Sequence, residues 1–209
     1  MIAEHAPPAA EVRLLALGDS YTIGEGVGTE DRWPMQLAAL LRTHGLRVAE
    51  PKIIARTGWT TDELAAAIAN TDVEERYYLV TVQIGVNNQF RGRSVDEYRA
   101  QFRALLARAI GLAGGRASHV IVVSIPDWGQ TPFAARRNRG RIGLDIDAFN
   151  AVNRDGAARS GSRYVDITTI SRRAADEADL VVADKLHPSA RMYAEWVRAI
   201  APTAIAALG

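Results

Sequence analysis

The stretch Arg13-Leu14-Leu15-Ala16-Leu17-Gly18-Asp19-Ser20-Tyr21 decides how the rest of the chain is read. A short apolar run ends at a glycine and is followed by Asp and Ser, both preferred helix caps, so it reads as a buried strand feeding a helix. The same unit recurs outward from it. Apolar residues at Trp33, Leu37, Leu40 and Leu41 keep helical spacing, and Lys52 to Ala55 is a weaker strand. Thr60-Thr61-Asp62-Glu63 has the pattern of a capping box ahead of an alanine-rich helix. Tyr77 to Ile84, aromatic and β-branched and stopped by Gly85, is the clearest strand. Ser94-Val95-Asp96-Glu97 is a second capping box, opening a helix striped by Val95, Tyr98, Phe102, Leu105, Leu106 and Ala109. A strand from His119 to Ile125, a helix from Asp147 to Ala158 and a last short strand from Tyr164 to Ile167 follow. Pro188 suits the first position of a final helix, with Met192, Trp196 and Ala199 on one face. Pro202 should kink or end that helix. Strand and helix alternate throughout, which predicts a three-layer α/β/α fold with a parallel five-stranded sheet. Right-handed crossovers leave few topologies, and a flavodoxin-like, doubly wound order of 2-1-3-4-5 is favoured.

With 209 residues, no internal repeat and no low-complexity linker, the chain reads as a tail over 1–12 and a single domain over 13–209. Its 25 Lys and Arg balance 24 Asp and Glu, so no charge footprint points to nucleic acid or an acidic membrane. The absence of cysteine excludes disulfides, thiolate metal sites and cysteine nucleophiles. Met1 to Val12 carries acids and prolines but no apolar run of signal-peptide length, and no stretch is apolar enough to span a bilayer. A cytoplasmic location is therefore expected.

In a doubly wound sheet, ligands bind beyond the carboxyl ends of the strands near the switch in strand order. Gly18-Asp19-Ser20-Tyr21, Thr57-Gly58-Trp59 and Gly85-Val86-Asn87-Asn88 follow the first three predicted strands. The order 2-1-3 makes these three loops neighbours. A serine, an amide side chain and a small residue with a free backbone N–H are the parts of acyl transfer, in which a hydroxyl attacks a carbonyl and nearby donors hold the oxyanion. The base is supplied by His187, with Asp184 three residues before it, the acid fixing the tautomer that faces the serine. Of the four histidines, His5 lies in the tail, His44 at the end of a surface helix and His119 at the start of a strand. Only His187 falls in a loop at the right end of the fold.

Gly-Asp-Ser-Tyr at 18–21, Gly58, Gly-x-Asn at 85–87 and Asp-x-x-His at 184–187 resemble the conserved blocks of the SGNH/GDSL hydrolases, in that family's order and over nearly the whole chain. The resemblance implies Ser20 as nucleophile and His187 as base and then acid, oriented by Asp184. It also implies an oxyanion hole from the N–H groups of Ser20 and Gly58 and the side chain of Asn87. No metal or organic cofactor is implied. Two positions depart from the pattern: Tyr21 replaces leucine, and Asn88 stands where aspartate often follows the block asparagine.

Each feature also has a plainer reading. Asp19 and Ser20 suit a helix start, Gly58 a tight turn, Asn87 a loop cap, and Asp184 the first turn of a helix. Gly24, Gly26 and Gly28 fail the dinucleotide spacing because position 29 is Thr, and read as a flexible loop beside the serine. Tyr21, Trp59, Asn88, Phe90, Trp128 and Phe133 are candidates to wall an acyl or sugar pocket, with plain packing the alternative for each. The basic run Arg136 to Arg141 reads as a solvated loop, or as a flap that greets an anionic group. The expected activity is cleavage of a small-molecule carboxylic ester or thioester of a small to medium acyl group. Carbohydrate O-deacetylation and a non-catalytic binding module are the alternatives.

Overall fold

A computed structural model describes residues 11–73 and 76–209, so residues 1–10 of the expected tail, including His5, lie outside the described residues. The elements in chain order are β1 (Leu14–Gly18), α1 (Ser20–Ile23), α2 (Trp33–Thr43), β2 (Lys52–Ala55), α3 (Thr61–Ala69), β3 (Leu79–Gln83), α4 (Val86–Phe90) and α5 (Val95–Leu112). They continue with β4 (Val120–Val123), α6 (Arg139–Ser160), β5 (Arg163–Val165), α7 (Thr168–Ser171) and α8 (Ala190–Leu208). All five strands pair in parallel in the order β2-β1-β3-β4-β5, as the alternation predicts. Every residue of β1, β3 and β4 is buried, the pattern of strands covered on both faces. Helix α2 packs on α8, while α5 packs on α3 and α6, giving the helical layers above and below the sheet.

The local chemistry follows the caps. Thr60 and Glu63 form the full reciprocal box, with Glu63 Oε2 accepting from the Thr60 N–H at 2.8 Å. The second box is half formed. Ser94 Oγ accepts from the Glu97 N–H at 3.1 Å, but the Glu97 carboxylate turns to Arg93.

Beyond shifts of one or two residues at strand ends, helices α6 and α8 differ from expectation. Helix α6 begins at Arg139 rather than near Asp147, because Asn138 caps it by accepting from the Arg141 N–H. Gly140 and Gly143 hide that start by their low helix propensity, and the second half of the basic run is helical rather than loop. Pro188 lies outside α8, whose cap is Ser189, and pairs instead with Val181 in an isolated antiparallel bridge. Helix α8 does not end at Pro202 but continues to Leu208. Burial of Trp196, Val197, Ile200, Ala204 and Ala207 on one side holds the helix, while Pro202 faces solvent.

At the carboxyl ends of the central strands, Gly18 is in register with Ala55 of β2 and Gln83 of β3. A Cβ on Gly18 would lie 2.1 Å from Thr22 Oγ1 and 2.7 Å from the Gln83 carbonyl oxygen, one of them rigid backbone. Gly18→Ala should therefore lower the unfolding free energy by about 3 kcal/mol in urea denaturation. An unchanged midpoint would contradict the close approach.

Candidate active site

Ser20 is the first residue of α1, delivered directly from β1. Asp19 caps that helix, its Oδ1 accepting from the Tyr21 N–H at 3.0 Å, and Gly24 closes it in the left-handed conformation that glycine favours. The turn after β2 carries Gly58 at φ 84°. Arg91 donates to the Gly58 carbonyl at 2.6 Å and Asn87 Nδ2 to the Trp59 carbonyl at 3.0 Å, so the second and third loops are tied together. Gly85 begins the third loop at φ 125°, where a Cβ would meet the Tyr98 hydroxyl at 2.5 Å.

The fourth segment is the loop before α8. Asp184 Oδ1 accepts from the N–H groups of Leu186 and His187 at 2.8 and 2.9 Å, curling the turn around its carboxylate. Lys185 inside that turn has φ 66° and is the one non-glycine residue with positive φ among the described residues. The Val182 N–H donates to the His187 carbonyl at 2.8 Å and locks the loop from the other side.

These segments bring Ser20, His187 and Asp184 into one line. His187 Nδ1 lies 2.6 Å from Asp184 Oδ2, and Nε2 lies 2.9 Å from Ser20 Oγ. An ionised carboxylate only accepts, so Nδ1 carries the hydrogen and Nε2 is left to accept from the serine hydroxyl. Burial would raise the Asp184 pKa, but bonds from the His187 ring and from two backbone N–H groups outweigh it and hold the acid below the ordinary range. Ser20 is 4% exposed and His187 8%, so the hydroxyl–imidazole contact is sheltered from water. The Tyr21 ring packs on the imidazole with centroids 5.3 Å apart.

A cavity of about 150 Å³ opens over this line. Ser20, Gly58, Asn87 and His187 all face it, with Tyr21, Trp128 and Phe133. Among the described residues, the backbone N–H groups of Ser20 and Gly58 make no intramolecular hydrogen bond. Asn87 spends one amide hydrogen on Trp59, leaving the other free.

Two candidates are not brought to the cavity. Asn88 is fully buried, its Oδ1 accepting from the Thr61 N–H at 3.1 Å and its Nδ2 donating to Gln101, so it fastens α4 to α3 instead of meeting a ligand. Trp59 packs against the core, and its carbonyl receives Asn87. Leu186 and Val86 line the cavity without having been singled out. Leu186 was findable, since it sits between an acid and a base that must both reach the site.

The sequence profile of the GDSL-like Lipase/Acylhydrolase family matches residues 16–195. Among solved structures, TesA superposes with a TM-score of 0.75 at 19% identity, covering 94% of this chain and 99% of its own. Axe2, an acetylxylan esterase from Geobacillus stearothermophilus, gives 0.67 at 19% identity, over 95% of this chain and 94% of its own. The lipase/acylhydrolase from Enterococcus faecalis gives 0.67 at 20% identity, over 91% and 96% respectively. At these identities the likeness is one of fold. No curated protein matches the chain in sequence.

Asp19 contrasts with Asp184. It is buried, its Oδ2 has no hydrogen-bond partner among the described residues, and desolvation pushes its pKa up to about 7 against two backbone hydrogen bonds that lower it. A carboxyl with a raised folded pKa binds its proton more tightly folded than unfolded. Its contribution is therefore favourable in acid and is lost as pH rises from about 4 to about 7. Asp19→Asn keeps the acceptor for the Tyr21 N–H and removes the buried charge. The stability of the variant relative to the parent should thus grow by a few kcal/mol between about pH 4 and pH 8, at about 1.4 kcal/mol per unit of pKa shift. Denaturation midpoints of both proteins across that range check this, and a gap independent of pH contradicts it.

Proposed function

The chain belongs to the GDSL-like lipase/acylhydrolase family, and from that membership among the ester hydrolases we propose that it cleaves carboxylic esters or thioesters of small to medium acyl groups through an acyl-enzyme on Ser20. The observation that carries this reading is the Ser20–His187–Asp184 line, with contacts of 2.9 and 2.6 Å. His187 Nε2 takes the hydroxyl proton as Ser20 Oγ bonds to the substrate carbonyl carbon. The carbonyl π pair moves onto oxygen, and the oxyanion is received by the N–H groups of Ser20 and Gly58 and by Asn87 Nδ2. The intermediate collapses, the imidazolium gives its proton to the departing alcohol or thiol, and the acyl group stays on Ser20. Water then repeats the sequence with His187 as base, releasing the acid and restoring the serine. Asp184 remains ionised throughout, holding the tautomer and stabilising the imidazolium.

The size of the cavity supports the acyl class. A volume of about 150 Å³ is close to that of a cavity holding one benzene, so the space over Ser20 takes an acyl portion of about six carbons. A second reading on the same machinery is carbohydrate O-deacetylation. The acetylxylan esterase among the structural neighbours favours it, and an acetyl group fits the same space.

Ser20→Ala should leave the fold intact, since among the described residues the hydroxyl bonds only to His187, and should abolish turnover of 4-nitrophenyl esters and labelling by a fluorophosphonate. Retained turnover ends the assignment of the nucleophile. Asn87→Ala should still be labelled, with kcat lowered about 10²–10³-fold. Along a series from acetate to decanoate, kcat/KM should peak at or below about six carbons. A rate still rising at decanoate contradicts the size limit, and acetylated xylooligosaccharide cleaved faster than every simple ester selects the deacetylase reading.

A further inference from the structure

Three aromatic rings reach the cavity from three segments: Phe90 at the end of α4, Trp128 in the turn 128–130, and Phe133 in the turn 132–134. Trp128 meets the other two edge-on, with centroids 5.3 and 6.1 Å away. Phe90 and Phe133 are 49% and 41% exposed, unusual for residues of that size. The cluster is covered by one cation. The Arg137 guanidinium lies 5.4, 5.5 and 5.6 Å from the centroids of Phe90, Trp128 and Phe133.

Resting on the ester-hydrolase reading, we propose that Arg137 is the receptor for a carboxylate carried by the substrate, making the site selective for anionic esters. Two other arginines near the cluster are committed elsewhere. Arg139 spends its N–H groups on the carbonyls of Gly129, Gln130 and Thr131, and Arg172 on Asp127 and Asp147. Among the described residues, the Arg137 side chain has ring contacts but no hydrogen bond or ion pair. Cation–π attraction to the three rings uses none of the guanidinium's N–H donors and leaves them for a carboxylate. The surrounding charge agrees. The residues facing the cavity include no acid, and Asp184 is committed to His187. Exposed Lys185 adds a second cation on the Phe133 side, where its carbonyl accepts from the Phe133 N–H at 3.0 Å. Glu25, bonded by Thr57 Oγ1, stands at the loop after β2 and disfavours an anion there.

The carboxylate can sit on the acyl group or on the leaving group, and two matched pairs separate these. The first is 4-nitrophenyl hydrogen glutarate against 4-nitrophenyl pentanoate. The second is 4-carboxyphenyl butyrate against its neutral methyl ester. In Arg137→Gln the anionic-to-neutral ratio of kcat/KM should fall about tenfold in one pair, mostly through KM, and Arg137→Lys should recover part of it. The pair that responds identifies the side. Ratios unchanged in both pairs, including an equal loss on both members, overturn the proposal and leave Arg137 as a staple for its loop. Should the parent cleave none of the four esters, the ester-hydrolase reading fails separately. Calorimetric titration with glutarate then decides the receptor: binding weakened about tenfold in Arg137→Gln supports it, and equal or absent binding in both proteins overturns it.

Discussion

The site depends on one row of backbone, where Ala55, Gly18 and Gln83 stand side by side at the carboxyl ends of three parallel strands. Parallel pairing with β1 in the middle places three successive loops in contact without any of them being long. The row is fixed from beneath by Gln83, a buried amide that accepts from Thr22 Oγ1 and Trp33 Nε1 and donates to the Ser124 carbonyl. Helix α1, helix α2 and the end of β4 are thus referenced to one side chain, and a buried amide with its partners in place specifies position more sharply than apolar contact does. The missing side chain at Gly18 lets α1 lie close enough for that network to close.

What was legible in the sequence follows from this geometry. Strand order and the convergence of Ser20, Gly58, Asn87 and His187 were readable because turn residues mark strand ends and topology does the rest. The Asp184–His187 spacing was readable because Asp184 folds a tight turn on its own side chain. Side-chain direction was not. Asn87 and Asn88 are adjacent and chemically identical, yet one faces the cavity and the other points into the protein toward Thr61, a difference set by the helical phase of α4. Pro202 does not end α8, because the helix's buried face outweighs that local signal. The cluster of Phe90, Trp128, Phe133 and Arg137 joins segments up to 47 residues apart by number but only through β4 and its loops in space, so no local pattern announces it.

Two aspartates within the same site show how environment sorts identical groups. Asp184 sits at the surface with its side chain 42% exposed and wrapped in donors, and ionises easily. Asp19, one residue from the serine, is enclosed with a bare oxygen and resists ionisation. The acid beside the imidazole is therefore held as an anion, while the one behind the serine adds little charge in its protonated form.

The hydroxyl and the imidazole that meet at 2.9 Å are 167 positions apart in the chain. During synthesis, Ser20 is made long before its partner, and strands β2 to β5 are laid down in between. A nascent polypeptide stalled anywhere short of the loop before α8 holds an ordinary alcohol. The contact closes only when the loop before α8 is in place, anchored by the packing of α8 on α2, so a chain cut short before that loop lacks it.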